Sequence, residues 1–185
     1  SPRKNPVTIP TGLKNAMVDA VVDSSLDTQN VVPFQEHSYE RLEYMGDAVL
    51  NKVTAYYVFS RYKDQEEGFL TTLRTKLVRS KTLSKLASKL HLNKYILISK
   101  YVEEKCNGRK NPKILEDIFE SLIGAMYLDF GPENGQGDAI CMKFIINILE
   151  SYIDITRMIR CEDNYKRVLL EYFQPRFRTE PKYQI

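Results

Sequence analysis

The chain predicts an all-α protein, and three observations carry that reading. Apolar residues recur at helical spacing from Gly12 to Leu26, from His37 to about Tyr62, from Phe69 to Leu90, from Pro112 to Asp129 and from Asp138 to Tyr152. Between these stretches lie breaker-rich segments, such as Gly131 to Gly137. Strand character is confined to the end of the chain, Pro181 to Ile185. At 185 residues with 43% hydrophobic and 28% charged residues, the chain is one soluble domain, or one plus a fragment. A net charge of +3 does not by itself announce a nucleic-acid binder, so any basic surface must come from local clustering. Cys106, Cys141 and Cys161 are far apart with no Cys-X-X-Cys pair, which reads as reduced thiols and not as a zinc site or a disulfide framework. No apolar run is long enough to span a membrane and no signal peptide opens the chain, so the expectation is an intracellular protein with no membrane partner.

Taken in order, residues 1–12 form a polar, proline-bearing segment expected to be flexible, and Ser1 in place of Met reads as a processed or engineered start. Leu13, Met17, Ala20, Val21 and Ser24 make a first amphipathic helix. A loop from Asp27 to Gln35 holds Val31, Val32 and Phe34, which need a surface to pack on. Ser38 is the expected N-cap of the next helix. That helix carries Glu40, Glu43 and Asp47 in one narrow seam, extended by Asn51 and Thr54, while Leu42, Met45, Val49 and Val53 line another side. Tyr56, Tyr57, Phe59 and Tyr62 follow as an aromatic set that reads as core. Lys63 to Gly68 is a charged turn, and Phe69 to Leu90 is helical with a bend near Ser80. His91 to Val102 is an apolar connection, and Glu103 to Lys113 is a polar, basic loop. Neither His37 nor His91 sits in a nucleophilic motif, and both read as helix-end residues.

The first acidic helix is badly built for stability. Glu43 and Asp47 are like charges at i, i+4, which costs a few tenths of a kcal/mol. Gly46 inside the helix costs roughly 1 kcal/mol against Ala and implies that another chain segment comes close. The second acidic element, Pro112 to Asp129, has a core face of Ile114, Leu115, Ile118, Phe119, Leu122 and Ala125. Asp117 and Glu120 share the opposite arc with Lys113 one turn before and Gly124 one turn after. If the seams face each other, Glu43, Asp47, Asp117 and Glu120 form a four-carboxylate cage of the hard oxygen donors that Mg²⁺ prefers. Two such ions about 4 Å apart can activate water and stabilise a leaving oxygen in phosphodiester hydrolysis. Lys113, on the same arc, offsets phosphate charge or orients a carboxylate; its plain alternative is a solvent-facing lysine.

At these residues the chain resembles the ribonuclease III family. Glu40-Arg-Leu-Glu-Tyr-Met-Gly-Asp-Ala-Val49 looks like that family's signature helix, and Asp117-Ile-Phe-Glu-Ser-Leu looks like its second acidic element. Glu67-Gly-Phe-Leu-Thr and the spacing from Leu77 to Leu83 belong to the same likeness, which spans roughly residues 13 to 155. Tyr44, Met45 and Glu116 are mild departures, standing where Phe, Leu and Gly are commoner. The resemblance implies an all-helical endonuclease domain, over residues 13–156, that dimerises and cuts double-stranded RNA, leaving 5′-phosphate and 3′-hydroxyl ends. It implies Mg²⁺ as cofactor, with Mn²⁺ as a substitute, held by Glu43, Asp47, Asp117 and Glu120, with Glu40 and Glu67 as further acids at the metal site. It also implies that Tyr44 inserts into a partner subunit, and Met45 and Phe34 join it as interface candidates. Beside such a cleft a duplex needs its phosphates neutralised, and Arg74, Lys81, Lys85, Arg109 and Lys110 are the candidates for that contact.

After a polar linker at 157–163, residues 164–185 have an amphipathic helix followed by Pro-X-Tyr and β-formers. This resembles the start of a double-stranded-RNA-binding domain, truncated here. Two other readings stand beside the nuclease: a module that sequesters duplex RNA without cutting it, and a structural helical domain whose acids are fortuitous.

Overall fold

The computed structural model of the chain describes residues 39–160 and 174–178. The first amphipathic helix, Phe34, His37, the Ser38 cap, Cys161 and most of the 164–185 segment lie outside the described residues. The helices are α1 (Glu40–Arg61), α2 (Glu67–Val78), α3 (Ser80–Lys89), α4 (Lys100–Lys105), α5 (Pro112–Asp129), α6 (Gln136–Tyr152) and α7 (Ile155–Arg160), with single 3₁₀ turns at Leu92–Lys94 and Gly108–Lys110. No β-strand forms among the described residues. The chain divides into two units, residues 1–153 and 154–185. In the second unit, the Asp154 carboxylate accepts from the Arg157 amide at 2.9 Å and caps α7, and residues 174–177 form one helical turn.

In the first unit α5 is the central element. From Leu115 to Met126 every residue except Glu116 is buried, so the helix is enclosed almost all round. It packs most extensively on α1, then on α3 and α6, and α1 in turn touches α2 and α6. Leu50, Val53 and Val58 of α1, Leu77 of α2, Leu83 and Leu86 of α3, and Ile145 and Ile148 of α6 close the core around Ile118, Phe119 and Ile123.

The start of α5 explains why the second seam is placed so definitely. The Asn111 side chain accepts from the Lys113 amide at 2.9 Å, and Pro112 stands at the first helical position, where its missing N–H costs nothing. The break foreseen near Ser80 falls at Arg79, whose extended backbone separates α2 from α3. Arg74 therefore does not share a stripe with Lys81 and Lys85. His91 adopts a left-handed φ of 59° and turns the chain out of α3. The loop expected from Glu103 to Lys113 is in part helical: Ser99 caps α4 by accepting from the Val102 amide, and the Gly108–Lys110 turn follows. Asp138 does not cap α6; Gly135, with a φ of 69°, takes that place, and Asp138 pairs with Lys52 of α1 at 2.6 Å. The aromatic set also divides. Tyr57 is buried, its hydroxyl donating to Glu150, whereas Tyr56 and Phe59 are exposed.

Candidate active site

The site is made by the crossing of α1 and α5. A Cβ built on Gly46 would overlap the Glu120 carbonyl oxygen and lie 2.9 Å from the Gly124 nitrogen. A Cβ on Gly124 would overlap the Leu42 carbonyl oxygen. Each glycine thus admits the backbone of the other helix, which accounts for the propensity cost that both helices accept. Contact at this range sets Glu43, one turn before Gly46 on α1, opposite Glu120 and Asp117, one and two turns before Gly124 on α5.

Glu43, Asp117 and Glu120 each place a carboxylate oxygen within 4.8 Å of the other two. Asp117 and Glu120 are buried and Glu43 is half-buried. Burial pushes the Glu120 carboxyl up to about 8, with the charges of Asp47, Glu116 and Glu43 adding to it. Glu43 is raised as well, first by burial and then by Asp117. Asp117 Oδ1 is fully buried without a hydrogen bond of good geometry, although the Lys113 ammonium lies 2.6 Å from it.

Lys113 is the compensating charge. Its ammonium also stands 3.7 Å from both Glu43 and Glu116, and these contacts hold its own pKa above the usual lysine range, led by the bond to Asp117. One ammonium among this many carboxylates leaves the cluster negative.

The cage expected to hold four acids closes on three. Asp47 is exposed and outside the set, with Oδ1 accepting from Asn51 Nδ2 at 2.7 Å. Asp47 is held within α1 by the Asn51 amide, which also donates to the Asp47 carbonyl at 3.0 Å. It remains close enough for its charge to raise Glu120. Glu40 and Glu67 are also exposed and outside the set; the Thr71 hydroxyl donates to Glu67 at 2.7 Å.

Two contributors went unforeseen. The buried Tyr39 hydroxyl donates to Asp117 Oδ2 at 3.4 Å, and its one signal was its place a turn before Glu43. Glu116, expected as a departure from the family pattern and a like charge one turn before Glu120, is half-buried outside the three-acid set and shares the Lys113 ammonium.

Three hard oxygen donors in one pocket, with a buried and poorly bonded carboxylate oxygen and a second acid driven towards neutrality, fit a divalent cation of the Mg²⁺ class. A cation there would relieve the charge that burial and crowding oppose.

The basic candidates separate. Lys81, Lys85 and Lys110 are exposed. Arg109 is not a free phosphate ligand as expected: its Nε donates to Glu103 at 2.6 Å and its Nη1 to the carbonyls of Asn93 and Ile96, both at 3.0 Å. Arg74 lies with Ala55, Tyr56, Phe59, Leu70 and Thr71 around a groove of about 360 Å³ between α1 and α2. Tyr44 is 80% exposed and Met45 half-buried.

A family model described as Ribonuclease-III-like matches residues 14–149. The chain is 36% identical over 161 residues to the probable ribonuclease 3 of Acanthamoeba polyphaga mimivirus, covering 87% of this chain and 28% of that protein. It is 38% identical over 146 residues to the ribonuclease 3 of Treponema denticola, covering 79% of this chain and 56% of that one. The chain thus spans well under two thirds of these relatives. A solved nuclease domain of ribonuclease III from Campylobacter jejuni, described for flexibility in the region involved in dimer formation, superposes with a TM-score of 0.66 at 31% identity, over 76% of this chain and 88% of that one.

Proposed function

The chain belongs to the ribonuclease III family, and from that premise we propose that it is a Mg²⁺-dependent endonuclease that hydrolyses double-stranded RNA as a homodimer. The observation that carries the proposal is the convergence of Glu43, Asp117 and Glu120 on a glycine-to-glycine helix crossing.

These three carboxylates would hold the cation, with Asp47 as the fourth donor, since it follows Glu43 by one turn and its charge already acts on Glu120. Bound Mg²⁺, or Mn²⁺ in its place, supplies Lewis acidity towards phosphate oxygens and an acidified water. The chain's own part is to orient and to balance charge. Tyr39 and Lys113 hold the two Asp117 oxygens, and Asn51 holds Asp47. Lys113 keeps Glu43 and Asp117 together before a cation arrives and offsets phosphate charge afterwards. The family resemblance implies that the products would carry 5′-phosphate and 3′-hydroxyl ends.

Lys81, Lys85 and Lys110 would contact phosphates of a duplex read by its shape. The exposed Tyr44 near one end of α1, and the groove beside Tyr56 and Phe59 near the other, suit a two-fold contact in which each copy offers both. Glu40 and Glu67 lie outside the acid cluster, and of the two only Glu40 acts on it, through its charge on Glu43.

The deciding experiment incubates the protein with long duplex RNA in Mg²⁺ and in EDTA and resolves the products on a gel. Shortening of the RNA in Mg²⁺ alone is expected. Binding without cutting would leave a sequestering module instead.

A further inference from the structure

The segment between α3 and α5 is built differently from the rest of the first unit. From Tyr95 to Ile98 the backbone alternates: Ile96 and Ile98 are buried, while Tyr95 and Leu97 point outwards. At the second position of α4, Tyr101 points outwards as well. Tyr95 is 63% exposed and Tyr101 70%, with no ring contact between them or to other residues among those described. Between positions 94 and 110 there are five cations and two acids. One acid, Glu103, is taken by Arg109; Lys94, Lys100, Lys105 and Lys110 make no ion pair among the described residues.

Contacts within the first unit tie this surface together. Arg109 binds the carbonyls of Asn93 and Ile96 and the Glu103 carboxylate, tying the 3₁₀ turn at Leu92–Lys94 to α4. Gly108 seats the second turn so closely on Val102 and Ile98 that a Cβ would overlap both side chains. Exposed aromatic rings on a tied base, flanked by lysines that make no ion pair among the described residues, fit a ligand that offers flat faces and repeated negative charge. In a duplex the base faces are covered by their neighbours; in a single strand they are open.

We propose that the outward face of residues 94–105, with Tyr95 and Tyr101 as stacking platforms and Lys94 and Lys100 as phosphate contacts, binds unpaired nucleotides adjoining a duplex. Arg109 acts here as a positioning residue, not a phosphate ligand. The proposal builds on the duplex-RNA reading but concerns a different surface from the acid cluster.

The test uses fluorescence anisotropy in EDTA, which prevents cutting, with the whole chain and its Tyr95→Ser/Tyr101→Ser variant. The probes are a blunt duplex, the same duplex with a single-stranded tail of about six nucleotides, and the tail alone. The tail should tighten binding about tenfold for the unmodified chain. The double variant should lose that gain and keep its blunt-duplex affinity; both rings are exposed, so folding is spared. A tail without effect, or a gain that survives the double substitution, overturns the proposal. If the blunt duplex does not bind at all, the duplex reading fails, and binding of the tail alone by the unmodified chain but not the variant would still uphold the platform.

Discussion

Two ion pairs in the first unit have the same length and opposite meaning. Arg109 meets Glu103 at 2.6 Å, and Lys113 meets Asp117 at 2.6 Å. Around Arg109 the donors find acceptors, with two backbone carbonyls in addition to the carboxylate, and the result is a clamp. Around Asp117 one ammonium is shared with Glu43 and Glu116, and Glu120 beside them is pushed up to about 8, by burial first and by the neighbouring carboxylates second. Distance does not separate a structural pair from a functional one; the balance of charge around it does. A closed pair stabilises its surroundings, whereas an open one holds room for a further positive charge.

The largest effect should come from breaking the open site. Glu120→Gln keeps the shape and removes the charge, and cleavage of duplex RNA should fall by about a thousandfold. Duplex affinity by anisotropy should change little. Normal turnover in the gel assay would remove Glu120 from the cation's donors.

Next in size is the crossing that assembles it. Gly46→Ala gains helix propensity but drives a methyl group into the Glu120 carbonyl, so urea denaturation should show a net loss of about 2 kcal/mol. Gly68, at the start of α2, has nothing within 4 Å of an added Cβ. Gly68→Ala should be neutral or slightly stabilising. Equal responses at the two positions would mean that the helices do not meet at Gly46.

The smallest effect sharpens the comparison through pH. The folded Glu120 carboxyl titrates near 8 against an ordinary 4.5, so the folded state holds more protons between those values. Stability in EDTA should therefore fall as the pH rises through that window, and Glu43 acts in the same direction. Melting by circular dichroism should show a Tm drop of roughly 5 °C from pH 5 to pH 8. Saturating Mg²⁺ should flatten it, because a cation favours the ionised acids. Glu120→Gln should reduce the slope, and Arg109→Lys should leave it intact. A Tm flat with pH in EDTA would deny that the acids are crowded.

Much of the fold was legible because local signals agreed with tertiary demands. Pro112 marks the start of α5, and its apolar spacing announced one core face; that the arc carrying Asp117 and Glu120 is buried as well was not legible. Gly46 signalled a close approach because a glycine inside a helix is unfavourable unless something needs the space. The glycine lying opposite it, Gly124, could be placed on the acidic arc but not matched to its partner. Other features depended on what each residue met. Tyr57 and Phe59 are two positions apart in one aromatic set, yet one is buried against Glu150 and the other exposed beside a groove. Arg109 read as a loose basic residue because its acceptors are Glu103 and carbonyls 13 and 16 positions earlier, and backbone carbonyls leave no trace in a pattern of side chains.

The sequence by itself determined the two acidic helices and the facing of their acids, since helical pitch alone puts Glu43 and Asp47, and Asp117 and Glu120, on shared seams. Only the tertiary structure decided which acids meet. Backbone contact at Gly46 and Gly124 brings Glu43, Asp117 and Glu120 into one pocket, while Asp47 stays outside the set on the Asn51 amide. Periodicity is a property of one helix; convergence and charge balance belong to two helices and the space between them.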